Sequence, residues 1–140
     1  MLNAVIGNRA MDILEKALDG ASLRQQVITN NMAHVDTPGY KAMEVSFEDQ
    51  LQEAIRDGRV GARLRTSHTR HLQIGNPVDR EYAPRVSVLT GYKYRNDQNS
   101  VDIDREMARL AKNSIYYDAM ARSMNNEFRL LRMAITEGRR

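Results

Sequence analysis

Residues 101–138 read VDIDREMARL AKNSIYYDAM ARSMNNEFRL LRMAITEG, and the fold turns on how the apolar side chains fall along them. From Ile103, the positions Met107, Leu110, Ser114, Tyr117, Ala121, Met124, Phe128, Leu131 and Ile135 follow alternating steps of four and three. Only Ser114 among these ten is not apolar, whereas an overall apolar content of 41% would fill about four. Such spacing draws one stripe down a helix, and its persistence over more than four heptads predicts a coiled-coil-like partner. Asp102 or Asp104 is the expected cap, since a carboxylate there accepts from free backbone amides and complements the positive end of the helix dipole. Gly138 is the expected stop. At ~1.5 Å per residue this makes a rod of roughly 50 Å, long for a chain of 140 residues.

The N-terminal segment carries the same step in weaker form. Met11, Leu14, Leu18, Ala21, Ile28, Met32 and Val35 continue a line that begins at Ala4 and Gly7 and is broken by Gln25. Gly20 weakens this helix, because a mid-helix glycine costs about 1 kcal/mol relative to alanine. Its end is sharp: Pro38 pushes Thr37 out of helical geometry, and Thr37-Pro38-Gly39-Tyr40 sets Pro and Gly at the central positions of a type II turn.

The middle reads differently. Ser46 to Ile55 predicts a short helix with Phe47, Leu51 and Ile55 on one face and Gly58 after it. Arg85-Val86-Ser87-Val88-Leu89 and Tyr92-Lys93-Tyr94 around Thr90-Gly91 predict a small hairpin. Residues 95–100 are a loop by composition. The expected architecture is therefore mainly α. Long N- and C-terminal helices pair as an elongated coiled-coil-like bundle, and a short helix and a poorly ordered or small β middle region project from one end. Residues 1–43 hold the first helix and its turn, 44–100 a variable middle and 101–140 the second helix; the two helices form one structural unit.

Composition excludes several function classes. With no Cys there is no disulfide, thiolate zinc site, iron–sulfur cluster or cysteine nucleophile. The apolar runs are far shorter than the ~20 residues a membrane-spanning helix needs. The first residues lack the charged leader, apolar core and small-residue site of a cleavable secretory signal, so a chain that leaves the cytoplasm is expected to use another export route. The net charge of +3 is spread along the chain. Its one concentration is Arg59, Arg63, Arg65 and Arg70 with His68 and His71, and no aromatic is interleaved there for base stacking. His68 and His71 with Asp79 or Glu81 fall short of the tight ligand spacing of zinc signatures. The acids Asp102, Asp104 and Glu106 are explained as helix-start charges. The reading therefore expects no enzyme, no catalytic or metal residue, no cofactor and no nucleic-acid partner. The alternative is a basic coiled-coil nucleic-acid-binding or adaptor protein.

The most specific segment is Asn30-Asn31-Met32-Ala33-His34-Val35-Asp36-Thr37-Pro38-Gly39-Tyr40-Lys41. A helix end and a tight turn account for Pro38 and Gly39 but not for Asn30, Asn31, Tyr40 and Lys41 around them. This segment resembles the Asn-x-x-Ala-Asn-x-x-Thr-Pro-Gly-Tyr-Lys signature of bacterial flagellar axial proteins, the rod, hook and hook-associated families. Val101 to Ala108, continuing through Leu110, Ala111, Lys112, Asn113 and Tyr117, is similar to the proximal rod proteins in particular. The resemblance implies a structural subunit of the flagellar basal-body rod, with Asn30, Asn31, Ala33, Thr37, Pro38, Gly39, Tyr40 and Lys41 forming the shared turn. It also implies self-assembly through the terminal helices and a place in the periplasm. Its implied partners are further copies and other rod proteins, the adaptor FliE at the inner-membrane ring, and the type III export apparatus. His34 departs from the pattern, since relatives usually carry Asn there.

Overall fold

The structure, a computed structural model, describes residues 9–60, 82–89 and 96–136. Helix α1 spans Arg9–Ala33, strand β1 Met43–Ser46 and helix α2 Glu48–Val60. Strand β2 spans Arg85–Val88 and helix α3 Ile103–Ile135. The chain is mainly helical, and its two long helices pack side by side in opposite directions, with Asn31 of α1 against Glu106 of α3 and Ala21 against Asn113. At ~1.5 Å per residue the 33 residues of α3 reach about 50 Å.

Asp102 is the cap of α3: its carboxylate accepts from the backbone N–H groups of Asp104 and Arg105 at 3.1 and 3.4 Å. The helix ends at Ile135, short of the expected stop. Thr136 closes it by donating both its N–H and its hydroxyl to the carbonyl of Arg132, and Gly138 lies outside the described residues. Helix α2 runs on to Val60, so Gly58 does not terminate it. Ser46 belongs to β1 rather than to the helix, which starts after Phe47.

Strand β2 does form, but its described partner is β1, paired antiparallel with Met43 opposite Val88 and Val45 opposite Val86. Tyr92–Tyr94, the expected partner, lies outside the described residues. Nor do the described parts of the middle region project from one end. The stretch from β1 to Phe47 runs back along α1. Arg24 donates to the Val45 carbonyl at 2.9 Å, pairs with Glu48 and holds its guanidinium 4.5 Å from the centre of the Phe47 ring. Burial pushes the Glu48 carboxyl up, but Arg24 and two backbone N–H bonds outweigh it, so the group sits below the usual carboxylate range.

The core is small. Ala21, Val27, Val45 and Phe47 are buried together, with Leu23, Met43, Leu51, Tyr82 and Met120 packed against them. Gly20 makes it possible. A methyl group there would lie 2.6 Å from ring carbon Cγ of Phe47 and 2.7 Å from the Tyr82 hydroxyl. The helix thus gives up propensity at Gly20 to admit an aromatic ring, a trade invisible to local spacing. We expect Gly20→Ala to destabilise the chain by about 1–3 kcal/mol in urea unfolding, because displacing a buried ring outweighs the gain in helix propensity. Greater stability in this variant would show that the ring is not seated on Gly20.

The Tyr82 hydroxyl donates to the Lys16 carbonyl at 2.7 Å. Burial, reinforced by Asp19 and Glu48 and opposed by Arg24, pushes its pKa up to about 12. An unfolded chain ionises this phenol at its ordinary value of 10.0. Its support for the fold is therefore intact below about pH 10 and is lost as pH rises toward 12. An ultraviolet phenolate titration should show a late-titrating tyrosine that disappears in Tyr82→Phe; a Tyr82→Phe curve missing an ordinary phenol instead would contradict this placement.

Candidate functional site

The segment from Asn30 to Lys41 begins where α1 loses its hydrogen-bond partners. The N–H of His34 is shared between the carbonyls of Asn30 and Asn31 at 3.2 and 3.1 Å, which tightens the last turn. Tyr40 N–H then returns to the Thr37 carbonyl at 3.3 Å, and Gly39 takes the positive φ of 73° that a type II turn demands of its third residue. The turn itself is exposed at Thr37, Pro38 and Gly39.

A helix end leaves carbonyls bare, and burying them without donors costs free energy. Asn99 supplies the donors. It is fully buried, and its amide nitrogen reaches the carbonyls of His34, Val35 and Thr37 at 3.0, 2.9 and 2.9 Å. Its oxygen accepts from Val101 N–H at 2.7 Å, so one side chain binds the end of α1 to the approach of α3. Around it, Gly39 N–H donates to the Asp97 carbonyl and Ser100 N–H to that of Tyr40. Lys41 Nζ donates to the Gln98 carbonyl at 2.7 Å.

Asn31 is equally buried and treats Met43 as a neighbouring strand would. Its Oδ1 accepts from Met43 N–H at 3.0 Å while its Nδ2 donates to the Met43 carbonyl at 2.7 Å. The same amide donates to Glu106 Oε2 at 3.2 Å and accepts from the Tyr40 hydroxyl at 3.4 Å. Burial, with Glu106 adding to it, raises the Tyr40 phenol. Glu106 is buried as well, and Arg109 holds its other oxygen at 2.9 Å while reaching Glu44 at 3.4 Å. His34, at the position where the resemblance expects Asn, stacks on Tyr40 with ring centres 4.5 Å apart and planes 10° from parallel. Its Nδ1 donates to the Asn30 carbonyl at 2.8 Å. Asn30 and Ala33 are exposed.

This is a junction of side-chain amides with backbone, and its polar groups act as connectors between α1, β1 and α3. Among the described residues no group of three or more His, Asp or Glu is placed to hold a metal ion. The side chains of Arg59 to Arg70, with His68 and His71, lie outside the described residues. So do Asp79 and Glu81.

The family model "Flagella basal body rod protein" matches residues 11–41, the helix and turn that enter this junction. A flagellar basal body rod protein FlgB from Bacillus subtilis is 40% identical over 126 residues, covering 90% of this chain and 92% of the relative. FlgB of Borrelia hermsii is 33% identical over 131 residues, and that of Yersinia ruckeri 30% over 134, covering 92% of this chain and 95% of the relative. The chain belongs to the FlgB family of flagellar basal body rod proteins. This is a family of structural proteins of the flagellar basal body, not of enzymes.

The fold distributes the apolar stripes of this chain unevenly. On α1, Ala21 and Ile28 are buried and Met11, Leu14, Leu18 and Met32 are half-buried, as is Val35 just past the end of the helix. On α3, Leu110, Ala121, Met124 and Leu131 are half-buried, whereas Ile103, Met107, Tyr117, Phe128 and Ile135 are exposed. The buried residues of α3 are instead Glu106 and Asn113, one position before Met107 and Ser114 of the stripe. Asn113 donates to the Ala21 carbonyl at 2.9 Å and to Gln25 at 3.2 Å.

In the sequence Asn99 reads as loop and Glu106 as a helix-start charge, and Asn113 carries no role of its own. A usable signal existed for two of them: Glu106 and Asn113 are seven residues apart and share a helix face. Asn99→Ala should cost roughly 3 kcal/mol in equilibrium unfolding, since it strips donors from several carbonyls at once. A loss below about 0.5 kcal/mol would mean that solvent satisfies those carbonyls.

Proposed function

We propose that the chain is a self-assembling subunit of the proximal rod, joined to further copies and to other rod proteins through its terminal helices. One observation carries this reading: the apolar line of α3 is half solvent-exposed in the single chain, at 55% for Met107, 54% for Phe128 and 70% for Ile135. Covering such side chains stabilises an assembly by on the order of 1 kcal/mol each. The interface would comprise the line from Ile103 to Ile135 on α3 and, on α1, the flank of Met11, Leu14, Leu18 and Met32 that the chain leaves half open. The Asn31–Asn99 junction fixes how the two helices are presented. Family membership supports the further expectations that the subunit reaches the periplasm through the flagellar type III apparatus and meets FliE at the inner-membrane ring. The absence of Cys suits passage into that compartment.

Phe128→Asp separates assembly from folding, because the side chain is already half in water. The variant should keep the helical content and unfolding free energy of the parent within about 0.5 kcal/mol, yet leave a strain carrying it as the sole copy non-motile, with basal bodies lacking a rod. Normal rods in that strain would overturn an interface through this stripe.

A further inference from the structure

A second face of α3, about a third of a turn round from the apolar stripe, has no partner among the described residues. Arg122 and Arg129 lie on it, with exposed Ile115 and Met133 on the same line at 71% and 45%; all four are seven or four residues from the next. Neither arginine takes part in an ion pair among the described residues. The outer face of α1 has the opposite sign. Asp12, Glu15 and Asp19 are exposed there, and they too are without ion pairs among the described residues. Among the described residues no ion pair joins the two faces within one chain.

We propose that the basic face of α3 docks the acidic face of α1 of a second copy. This rests on the self-assembly reading above and assigns it one specific contact. The spacings match: Asp12 and Asp19 are seven residues apart, as are Arg122 and Arg129. Two turns of helix therefore bring both pairs into register at once. If the copies point the same way, α1 of one runs antiparallel to α3 of the next, and Asp19 meets Arg122 while Asp12 meets Arg129. Within one chain Asn31 stands level with Glu106. Counting outward from there puts Glu15 level with Arg122. The intermolecular pairing thus shifts neighbouring copies by four residues, about 6 Å along the axis. The contact uses a different surface on each copy, so it is heterologous. With an axial shift at every step it does not close on itself but builds a helix of subunits.

The chain has no Cys, so introduced thiols report this contact without background. Two full-length chains, one Glu15→Cys and one Asn126→Cys, are co-expressed as the only copies in a flagellated cell and oxidised in isolated basal bodies. The disulfide-linked heterodimer should exceed either homodimer about tenfold, and Arg122→Glu in the second chain should lower it about tenfold. Adding Asp19→Lys to the first chain should restore it. Ser22→Cys with Ala119→Cys gives a second pair at the same register, should the first disturb folding. Rods with heterodimer no more abundant than homodimers, or a charge swap that fails to restore it, would overturn this contact alone. Absence of rods in cells whose only copy is the cysteine-free parent chain would overturn the self-assembly reading itself.

Discussion

The arrangement of α1, β1 and α3 depends on the buried carboxamide of Asn31. It satisfies both backbone groups of Met43 as a strand would, and its remaining N–H goes to Glu106. A buried carboxylate is tolerated only when donors surround it, and Glu106 has Asn31 on one oxygen and Arg109 on the other. This fixes the rotation of α3 about its own axis. With Glu106 turned inward, Asn113 follows it seven residues later, and the residue after each is carried round by about 100°. Met107 is thereby turned toward solvent. The exposure of the apolar stripe is thus a consequence of a polar junction.

The same logic explains why the core is small. The interior of the helix pair is partly occupied by amides, so apolar burial is concentrated where β1 and Phe47 lie against α1. There Gly20 gives the ring its seat and Arg24 covers it, tying strand, ring and α2 to one side chain. Asn113 illustrates the cost of this design: its Nδ2 is bonded to α1, while its Oδ1 is buried with no partner among the described residues. A subunit held together by satisfied polar contacts gains specificity of register more than stability.

Much of this was legible in the sequence. The two long helices, the Asp102 cap and the turn with positive φ at Gly39 follow from local rules, because caps and turns are decided by residues within a few positions of one another. What was not legible depends on pairs far apart. Met43–Ser46 and Arg85–Val88 are separated by about forty residues and pair through backbone bonds that leave no local period. Asn99 looks like loop composition until the carbonyls it serves, more than sixty residues earlier, are known. The stripe of α3 was found but not its orientation, since a heptad pattern marks positions wanting burial without saying whether the partner is the same chain or another.

The two outer features of α3 act over different ranges, and that difference suits an ordered assembly. Charges on exposed faces are felt across about a Debye length, on the order of 8–10 Å at ordinary ionic strength, and they mainly set encounter and alignment. Apolar contact is felt only once water is expelled between touching surfaces, and it is indifferent to register over several residues of similar side chains. A stripe alone would let copies slide along one another by a heptad. Acids and bases repeated at one fixed spacing penalise such a slip by leaving a charge opposite the wrong neighbour. In the assembly proposed above, register set by charge and strength supplied by apolar burial are separable requirements, and α3 would carry each on its own face.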